Sequence, residues 1–307
     1  MIVLGIETSC DETAAAVVNS KGEIITETLL TQIDDHRPFG GVVPEVAARA
    51  HLENVDSIVN QTMAKAGLKY FELDAVAATG GPGLIGGVIV GVMTAKAIAA
   101  ACNIPFIAVN HLEGHALSPR LKTTDRVSFP YLLLLISGGH CQLLSVKSPG
   151  CYKQMGTTMD DALGEAYDKI AKMLGIGFPG GPAVEAAAIR GNELRFNLPR
   201  PLSGRPGCDF SFSGLKTAVR HVLLDLPEGP LKKCDISDIC AAFQAAAGDV
   251  LVDRTSNALN DFLTDYPTAE ALVIAGGVAA NQGLRDRLKL LANEKSISLI
   301  APPPKLC

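Results

Sequence analysis

Three absences narrow the class of protein encoded by this sequence. Its start, MIVLGIETSC, has no basic run and its first acidic residue is Glu7, which is unlike a secretory signal or an Arg-rich transit peptide. None of its eight cysteines forms a C-x-x-C pair, which argues against a zinc ribbon or a redox dithiol. A net charge of −5 argues against a uniformly basic surface. We therefore expect a globular cytoplasmic protein whose cysteines are mostly reduced and buried.

A long uninterrupted apolar run is also missing. The longest apolar-rich stretch, Gly80–Cys102, contains Lys96, Pro82 and six glycines. This composition favours a buried helix with a glycine-rich entry over a membrane span. The 307 residues are 48% hydrophobic, which is enough for a large core and fits two domains better than one.

One arrangement of apolar segments occurs twice. Ile2–Ile6 and Ala14–Val18 read as strands on either side of a polar turn, and Leu132–Ile136 and Gln142–Val146 repeat the scheme around Ser137-Gly138-Gly139-His140. The repeat predicts two lobes of related topology. We place them at residues 1–125 and 126–307, joined through the poorly periodic stretch 118–130.

The segments between these hairpins alternate between helical and strand patterns. Helical spacing covers residues 45–65, 86–102, 160–174 and 236–262, and strands are predicted at 74–78 and 271–275. The alternation predicts an α/β fold.

Two glycine-rich turns follow apolar strands. Gly138 and Gly139 follow the strand ending at Ile136, and Gly276-Gly277 precedes a helix predicted to begin near Gln282. Backbone without side chains can approach a phosphate and offer its N–H groups, and a helix N-terminus adds a favourable dipole. Tight packing of strand on helix explains a Gly-Gly pair equally well, so each turn alone is weak evidence.

The N-terminal turn carries Asp11 and Glu12 between Ser9 and Thr13. This set could hold a cation-bound phosphate or orient the proton of a nucleophile. Turns also prefer such residues for their own hydrogen bonds.

Three carboxylates, Asp161, Glu165 and Asp168, fall four and three residues apart on the helix predicted after Thr158. That spacing places all three on one face, where like charges repel. Either cations such as Lys169 and Lys172 or ligands must relieve the repulsion. We favour ligand hydroxyls for Asp168.

His111 and His115 lie one helical turn apart in the segment HLEGH and could bind one metal ion from one face. Zinc proteases also use two histidines four apart, but with Glu directly after the first. Here Glu113 comes one residue later, which rotates it by about 100° around the helix. A protease is therefore the less favoured interpretation.

A basic segment stands out in this acidic chain. Between residues 190 and 221 only Glu193 and Asp209 oppose the basic residues Arg190, Arg195, Arg200, Arg205, Lys216 and Arg220. This could be a polyanion-binding patch or a solvated arginine-rich loop.

The motifs together resemble one known family, the universal tRNA N6-adenosine threonylcarbamoyltransferases of bacterial type, once described as O-sialoglycoprotein endopeptidases. Its blocks occur in family order and spacing: GIETSCDET, GGVVPEVAARAH, GGPGLIGGVIVG, NHLEGH, LLLISGGHCQL, DDALGEAYDKIAKMLG, PGGP, FSFSGLKTAV and AGGVAANQGLR. The resemblance implies the ASKHA fold of actin, Hsp70 and sugar kinases, with a nucleotide in the cleft between two duplicated lobes.

The resemblance also implies a reaction. Threonylcarbamoyl-AMP, made by a separate enzyme, binds in the cleft, and the N6 amine of adenosine 37 in tRNAs that read ANN codons attacks its carbamoyl carbon. AMP then leaves. The implied partners are tRNA, an inactive paralogue subunit (TsaB-like) and an ATPase subunit (TsaE-like), with no membrane.

Carried over to this sequence, the family pattern implies roles for individual residues. Asp11 and Glu12 would lie nearest the transferred group, and His111 and His115 would hold the metal, usually iron (Fe2+). Substrate contacts would fall on Leu135, Ile136, Ser137, Gly138, Gly139, Asp168, Gly181, Glu185, Gly277 and Asn281, with Glu185 where some relatives have aspartate.

The sequence departs from the family pattern at its end. Cys307 opens the C-T-D-N motif that supplies an aspartate metal ligand, and a terminal helix that completes the first lobe would follow. We therefore expect weak metal binding, lower stability and lower activity from these 307 residues alone. A catalytically impaired assembly partner and a sugar or acetate kinase are the alternatives, and the retained histidine pair and the NHLEGH and FSFSGLK blocks favour the transferase.

Overall fold

The computed structural model of the chain describes residues 1–121 and 127–302. The chain forms two compact units, Met1–Arg126 and Val127–Cys307. The predicted boundary between residues 125 and 126 lies outside the described residues, and so does the part of the predicted extended tail from residue 303 onward.

The first unit is built on a mixed five-stranded sheet. Its strands are β1 (Ile2–Glu7), β2 (Glu12–Asn19), β3 (Ile24–Thr31), β4 (Ala75–Gly81) and β5 (Phe106–Asn110), in the order β3-β2-β1-β4-β5. The first three pair antiparallel, whereas β4 and β5 run parallel to β1. The predicted N-terminal hairpin is confirmed, and the short connection between β1 and β2 carries the polar turn.

The described helices of this unit are α1 (Ile33–His36), α2 (Pro44–Ala66), α3 (Ile85–Cys102) and α4 (His111–Leu117). Of these, α2, α3 and α4 pack against the sheet. The predicted helix 45–65 is confirmed to within one residue at each end, since Pro44 starts α2 and Gly67, at φ 66°, ends it.

Helix α3 is buried on only one face. Its small residues pack inward, whereas Ile85, Ile89 and Met93 are 74%, 53% and 59% exposed. The predicted burial of this helix was therefore wrong for the face that carries these three side chains. By length and composition alone, α3 is long and apolar enough to cross a membrane. One such helix is weak evidence for a membrane span, because core helices pass the same test.

The second unit repeats the sheet of the first. Its strands are β6 (Tyr131–Ile136), β7 (Cys141–Ser148), β8 (Cys151–Thr157), β9 (Ala271–Ala275) and β10 (Ser298–Ile300), in the order β10-β9-β6-β7-β8. Strands β6 to β8 are antiparallel, and β9 and β10 run parallel to β6. Every residue of β6 and β9 is buried, as expected for central strands covered on both faces.

The helices of the second unit form the rest of its core. They are α5 (Leu163–Leu174), α6 (Gly180–Ala188), α7 (Ser213–Asp225), α8 (Lys233–Asp265) and α9 (Gln282–Glu294). The predicted start of α5 at Asp160 was wrong. Asp160 instead accepts hydrogen bonds from the backbone N–H groups of Phe212 (2.8 Å) and Ser213 (3.2 Å), which removes it from the helix.

Candidate functional site

The turn after β6 is closed by its own backbone. Ser137 N–H donates to the His140 carbonyl at 2.8 Å, and His140 N–H donates to the Ser137 hydroxyl at 3.0 Å. The Gly164 N–H, at the start of α5, donates to the Ser137 carbonyl at 3.2 Å. The predicted strand-turn-strand is thus confirmed, and α5 begins against it.

Some glycines near this turn are required by packing. A Cβ on Gly164 would lie 2.7 Å from the Ser137 carbonyl oxygen, and one on Gly276, at φ +92°, would lie 2.5 Å from the Ile136 carbonyl oxygen. A Cβ on Gly180 would lie 2.5 Å from the Asp168 Cα. These positions pack β6, β9, α5 and α6 together, so the packing explanation is correct for them.

Other glycines are not explained by packing. A Cβ on Gly138, Gly139, Gly181 or Gly277 would meet no described atom within 4 Å, and none of the four needs a left-handed backbone. All lie at or beside the carboxyl end of the parallel pair β6 and β9, except Gly181, which is in the first turn of α6. Glycine at these positions leaves backbone open to a ligand.

Leu135 and Ile136 are the last residues of β6, and both side chains are fully buried. Only their backbone groups could contact a substrate. The sequence pattern predicted substrate contacts for Leu135 and Ile136 as well as for Gly138 and Gly139. It did not show that the first two side chains are buried and that the two glycines are open.

Asp168 connects two helices. Its Oδ1 accepts the Gly180 N–H at 2.7 Å, at the N-terminus of α6. Asp161, Glu165 and Asp168 were predicted to share one face of a helix. This prediction was wrong for Asp161, because Asp161 precedes α5. Lys169 bridges Asp161 and Glu165 at 2.8 Å each, so a cation relieves those two charges, while Asp168 is turned to α6.

Glu185 and Asn281 meet at the start of α9. Glu185 Oε1 accepts the Gln282 N–H at 2.7 Å, and Asn281 Oδ1 accepts the Leu284 N–H at 2.9 Å. The Asn281 amide also donates to Gln244 Oε1 of α8 at 3.0 Å. Asn281 is 7% exposed, so it acts here as the N-cap of α9 and as part of the support of the site.

A pocket of about 270 Å³ lies beside this support. Alanine and glycine form most of its wall, and polar groups come from three side chains; the lining residues are Ala188, Gly191, Glu193, Ala241, Gln244, Ala245, Gly283 and Arg287. A Cβ on Gly283 would lie 3.0 Å from the Gln244 amide nitrogen, so glycine keeps this wall close to α8. The pocket therefore places Glu193, Gln244 and Arg287 beside a wall of small side chains.

In the first unit, Glu7 and His111 lie within hydrogen-bonding distance of each other. Glu7 Oε2 lies 3.3 Å from His111 Nδ1, the Ser9 hydroxyl lies 3.1 Å from the same nitrogen, and Thr79 donates to Glu7. Burial alone would raise the pKa of Glu7, but the hydrogen bonds from His111, Ser9 and Thr79 lower it to about 2. Glu7 is therefore ionised at neutral pH.

His111 and His115 lie together on α4. Their ring centroids are 4.7 Å apart and nearly perpendicular. A carboxylate on Nδ1 is the usual arrangement for a metal-binding histidine, since it fixes the tautomer that ligates through Nε2. The described residues contain no group of three or more His, Cys, Asp and Glu side chains placed to hold a metal. His111 and His115 could supply two protein ligands of a metal site.

Asp11 follows Cys10 in the turn between β1 and β2, and Glu12 is the first residue of β2. Partial desolvation raises the pKa of Glu12, and the charges of Asp11 and Glu7 add to the rise. Partial desolvation and the charge of Asp11 raise the pKa of the Cys10 thiol to about 12. Cys10 is therefore a neutral thiol at neutral pH and a poor nucleophile.

Half of the predicted basic patch is neutralised. Arg195 pairs with Asp235 at 2.6 Å and with Asp238, Arg200 pairs with Asp249 at 2.9 Å, and Lys216 pairs with Asp161 at 3.4 Å. The other three members are exposed and make no ion pair within the described parts of the chain: Arg190, Arg205 and Arg220.

Sequence reasoning missed Glu7, Gln244 and His51 as participants. Glu7 could have been found, because it is a carboxylate at the carboxyl end of a buried strand. His51 repeats the apolar spacing of α2 with Ala47 and Val55. Gln244 could not be identified from the sequence, because its partner Asn281 lies at the start of α9, 37 residues later in the chain.

Two solved structures share this fold. T. kodakarensis HypF superposes with a TM-score of 0.64 at 12% identity over 99% of this chain and 45% of HypF. Component A of the Acidaminococcus fermentans (R)-2-hydroxyglutaryl-CoA dehydratase gives 0.56 at 12% identity over 100% of this chain and 94% of its own. With the duplicated sheets and open glycine turns, this defines an α/β protein of the ASKHA fold.

Sequence relatives identify the family within that fold. The model of the tRNA N6-adenosine threonylcarbamoyltransferases matches residues 23–307. Enzymes of that name from Paramagnetospirillum magneticum and Rhodospirillum rubrum are 60% and 61% identical, cover 100% and 99% of this chain, and are covered over 88% and 85% of their own length. The chain belongs to this family of tRNA-modifying transferases, and the protease and kinase alternatives are not favoured.

Proposed function

We propose that the second unit binds the adenylate part of threonylcarbamoyl-AMP. The observation that carries this proposal is the set of glycines at residues 138, 139, 181 and 277, which neither packing nor backbone conformation explains. The N–H groups of the turns at Gly138-Gly139 and Gly277 would bind the phosphate, and Asp168 and Glu185 the ribose hydroxyls.

The adenine ring would enter the pocket beside Asn281. Its wall of alanines and glycines accepts a flat ring, and Gln244 offers an amide to a ring edge. Asn281 would act mainly by holding Gln244 and the start of α9 in place.

In this proposal, side chains of the first unit would act at the carbamoyl carbon of threonylcarbamoyl-AMP. The N6 amine of the tRNA adenosine forms the new C–N bond, the C–O bond to phosphate breaks, and AMP leaves with the electron pair. The amine must lose a proton, and Glu12 is the better acceptor because its raised pKa makes it more basic than an ordinary carboxylate. Asp11 would keep that pKa raised.

His111 and His115 would hold an iron ion (Fe2+), as the family resemblance implies. A bound metal would supply Lewis-acid polarisation of a carbonyl or phosphoryl oxygen. Within this chain, Glu7 and Ser9 hold His111 in the orientation for ligation.

We also propose an inactive paralogue subunit and an ATPase subunit as partners, in the cytoplasm. The apolar stripe Ile85, Ile89 and Met93 supports a protein partner. The opposite face of α3 packs inward, since a Cβ on Gly87 would clash with the Thr8 carbonyl oxygen. This close packing in the unit favours a protein partner over a bilayer for the exposed face.

The test combines the chain, its partner subunits, threonylcarbamoyl-AMP and unmodified tRNA, followed by mass spectrometry of the nucleosides. We expect threonylcarbamoyl-adenosine from the wild type, a large loss with Asp168→Ala, and no loss with Glu228→Ala on an exposed loop. Absence of the modified nucleoside from the wild-type reaction would reject the proposed function.

A further inference from the structure

Two fully buried histidines in the first unit have no role in the chemistry above. His36 and His51 are 0% exposed, and Gln32, at 1%, lies between them. His36 is on α1, His51 is on the inner face of α2, and Gln32 directly follows β3. Buried polar side chains of this kind are retained only when their hydrogen bonds are satisfied.

The hydrogen bonds assign the proton positions. His51 Nε2 lies 3.0 Å from the Cys10 carbonyl oxygen, which can only accept, so the proton is on Nε2. His51 Nδ1 must then accept, and it does so from the Thr13 hydroxyl at 2.8 Å and the Gln32 amide at 3.2 Å.

The remaining bonds agree with this assignment. The Gln32 carbonyl oxygen accepts from His36 Nε2 at 3.2 Å, and His36 Nδ1 accepts the Val43 N–H at 3.3 Å. Every donor meets an acceptor when both imidazoles are neutral and carry their proton on Nε2.

This network holds both ends of the turn that carries Asp11 and Glu12. His51 binds the Cys10 carbonyl on one side and the Thr13 hydroxyl on the other. The Gln32 backbone N–H donates to the Asp11 carbonyl at 3.0 Å. The proposed proton acceptor thus lies between two anchored residues.

The His51 ring is also confined by α3. A Cβ on Gly87 would lie 3.0 Å from His51 Cδ2 and 3.2 Å from Nε2. Only glycine lets α3 approach this closely, so the ring has little room to tilt away from the Cys10 carbonyl.

From these contacts we infer that His51 is a positioning residue for the transfer reaction, which holds the Asp11-Glu12 turn through its Nε2–H bond to the Cys10 carbonyl. This inference rests on the proposed function, because it assigns Asp11 and Glu12 to the chemistry. Displacing a reacting group by about 1 Å costs roughly 100-fold in rate.

Two substitutions separate the contacts of the ring. In His51→Gln the amide nitrogen reaches the place of Nε2 and can still donate to the Cys10 carbonyl. In His51→Asn the amide reaches only the place of Nδ1, on the side of Thr13 and Gln32. Both remove the aromatic ring from the same buried site, so each is the control for the other, and His221→Gln is the exposed control.

We expect His51→Gln to keep kcat within a few-fold of wild type and His51→Asn to lose roughly 100-fold in kcat. The KM for threonylcarbamoyl-AMP should change little in both, because the proposed nucleotide contacts are on the second unit. Equal kcat values in the two variants, or losses that follow only their loss of stability, would overturn the inference.

Two measurements on the wild-type chain do not depend on turnover. Nitrogen-15 NMR of the histidine rings should show the Nε2–H tautomer for His51, and an Nδ1–H tautomer would overturn the inference whether or not the enzyme is active. Hydrogen exchange at the Asp11–Thr13 amides should be faster in His51→Asn than in His51→Gln. If the wild type transfers nothing while both measurements agree with expectation, the proposed function fails and the anchoring of the turn stands.

Discussion

Glu185 and Gln282 are joined by a hydrogen bond of 2.7 Å, in which the Glu185 carboxylate accepts the first backbone N–H of α9. That N–H has no partner within its own helix, and a negative charge beside a helix N-terminus is favourable. The same carboxylate is the proposed ribose ligand. The start of α9 and the proposed nucleotide site would therefore share one side chain.

Substitution of Glu185 tests this double role. Glu185→Ala should lower the free energy of unfolding by about 1 kcal/mol, as loss of a helix cap does. Glu185→Gln should retain most of the stability because an amide oxygen also accepts the Gln282 N–H. Urea denaturation measures both, with Glu228→Ala as a control expected within about 0.5 kcal/mol of wild type. Equal stabilities for Glu185→Ala and the control would show that the bond contributes nothing.

Substitution of the open glycines should impair ligand binding, whereas substitution of the glycines required by packing should lower stability. Gly138→Ala and Gly277→Ala should leave stability within about 0.5 kcal/mol of wild type, because no described atom opposes the added Cβ, but should weaken AMP binding. Gly276→Ala should lower stability by more than about 1 kcal/mol, because its φ of +92° and the Ile136 carbonyl both oppose a Cβ.

Thermal melting and calorimetric titration with AMP distinguish these outcomes. Gly164→Ala is the matched packing control, since its Cβ would meet the Ser137 carbonyl. Native AMP affinity in Gly138→Ala would mean that this backbone does not approach the phosphate.

The sequence predicted the central strands and the glycine turns because each depends on local pattern. Strand β6 is apolar throughout, and Ser137–His140 is a turn whatever surrounds it. The start of α5 could not be predicted in this way. Asp160 suits a helix N-terminus, but it is held by Phe212 and Ser213, about fifty residues later in the chain. The roles of individual glycines also needed the structure, since Gly276 and Gly277 are adjacent in the chain but differ in backbone conformation and in the atoms around them.

Asp160 should stabilise the second unit in a pH-dependent way. Burial alone would raise its pKa, but hydrogen bonds from Ser211, Ser213 and Phe212 lower it. A lowered carboxyl pKa contributes stability above the unfolded-state pKa of about 3.9 and loses it as the pH falls through the folded-state value.

Asp160→Asn should therefore be less stable than wild type by about 1 kcal/mol at neutral pH, with the difference shrinking in acid. Denaturant unfolding at several pH values measures this difference. A difference that stays constant down to acid pH would show that the charge of Asp160 is not involved.

The exposed arginines predict how tRNA binding depends on salt. Arg190→Gln or Arg220→Gln should each weaken tRNA binding and reduce the slope of log affinity against log salt by about 0.7 to 0.9 for each phosphate that the arginine neutralises in the wild type. Arg195→Gln should leave the slope unchanged, because Asp235 and Asp238 already neutralise Arg195. Filter binding over a series of salt concentrations gives the slopes. The same slope in all three variants would place tRNA elsewhere.

The pKa of Glu12 should determine the pH below which kcat falls. Partial desolvation raises its pKa and the Asp11 charge adds to the rise, so the folded protein binds this proton more tightly than the unfolded chain does. The stability associated with Glu12 is therefore greatest at low pH and falls as the pH rises through its folded-state pKa. If ionised Glu12 accepts the proton of the N6 amine, kcat must fall on the acid side as Glu12 becomes protonated, at a pH above the ordinary value of about 4.3. Asp11→Asn removes the neighbouring charge and should move this acid limb of the rate profile to lower pH, whatever it does to the plateau, whereas Glu228→Gln should not move it. A limb that stays in place in Asp11→Asn would mean that another group controls the rate.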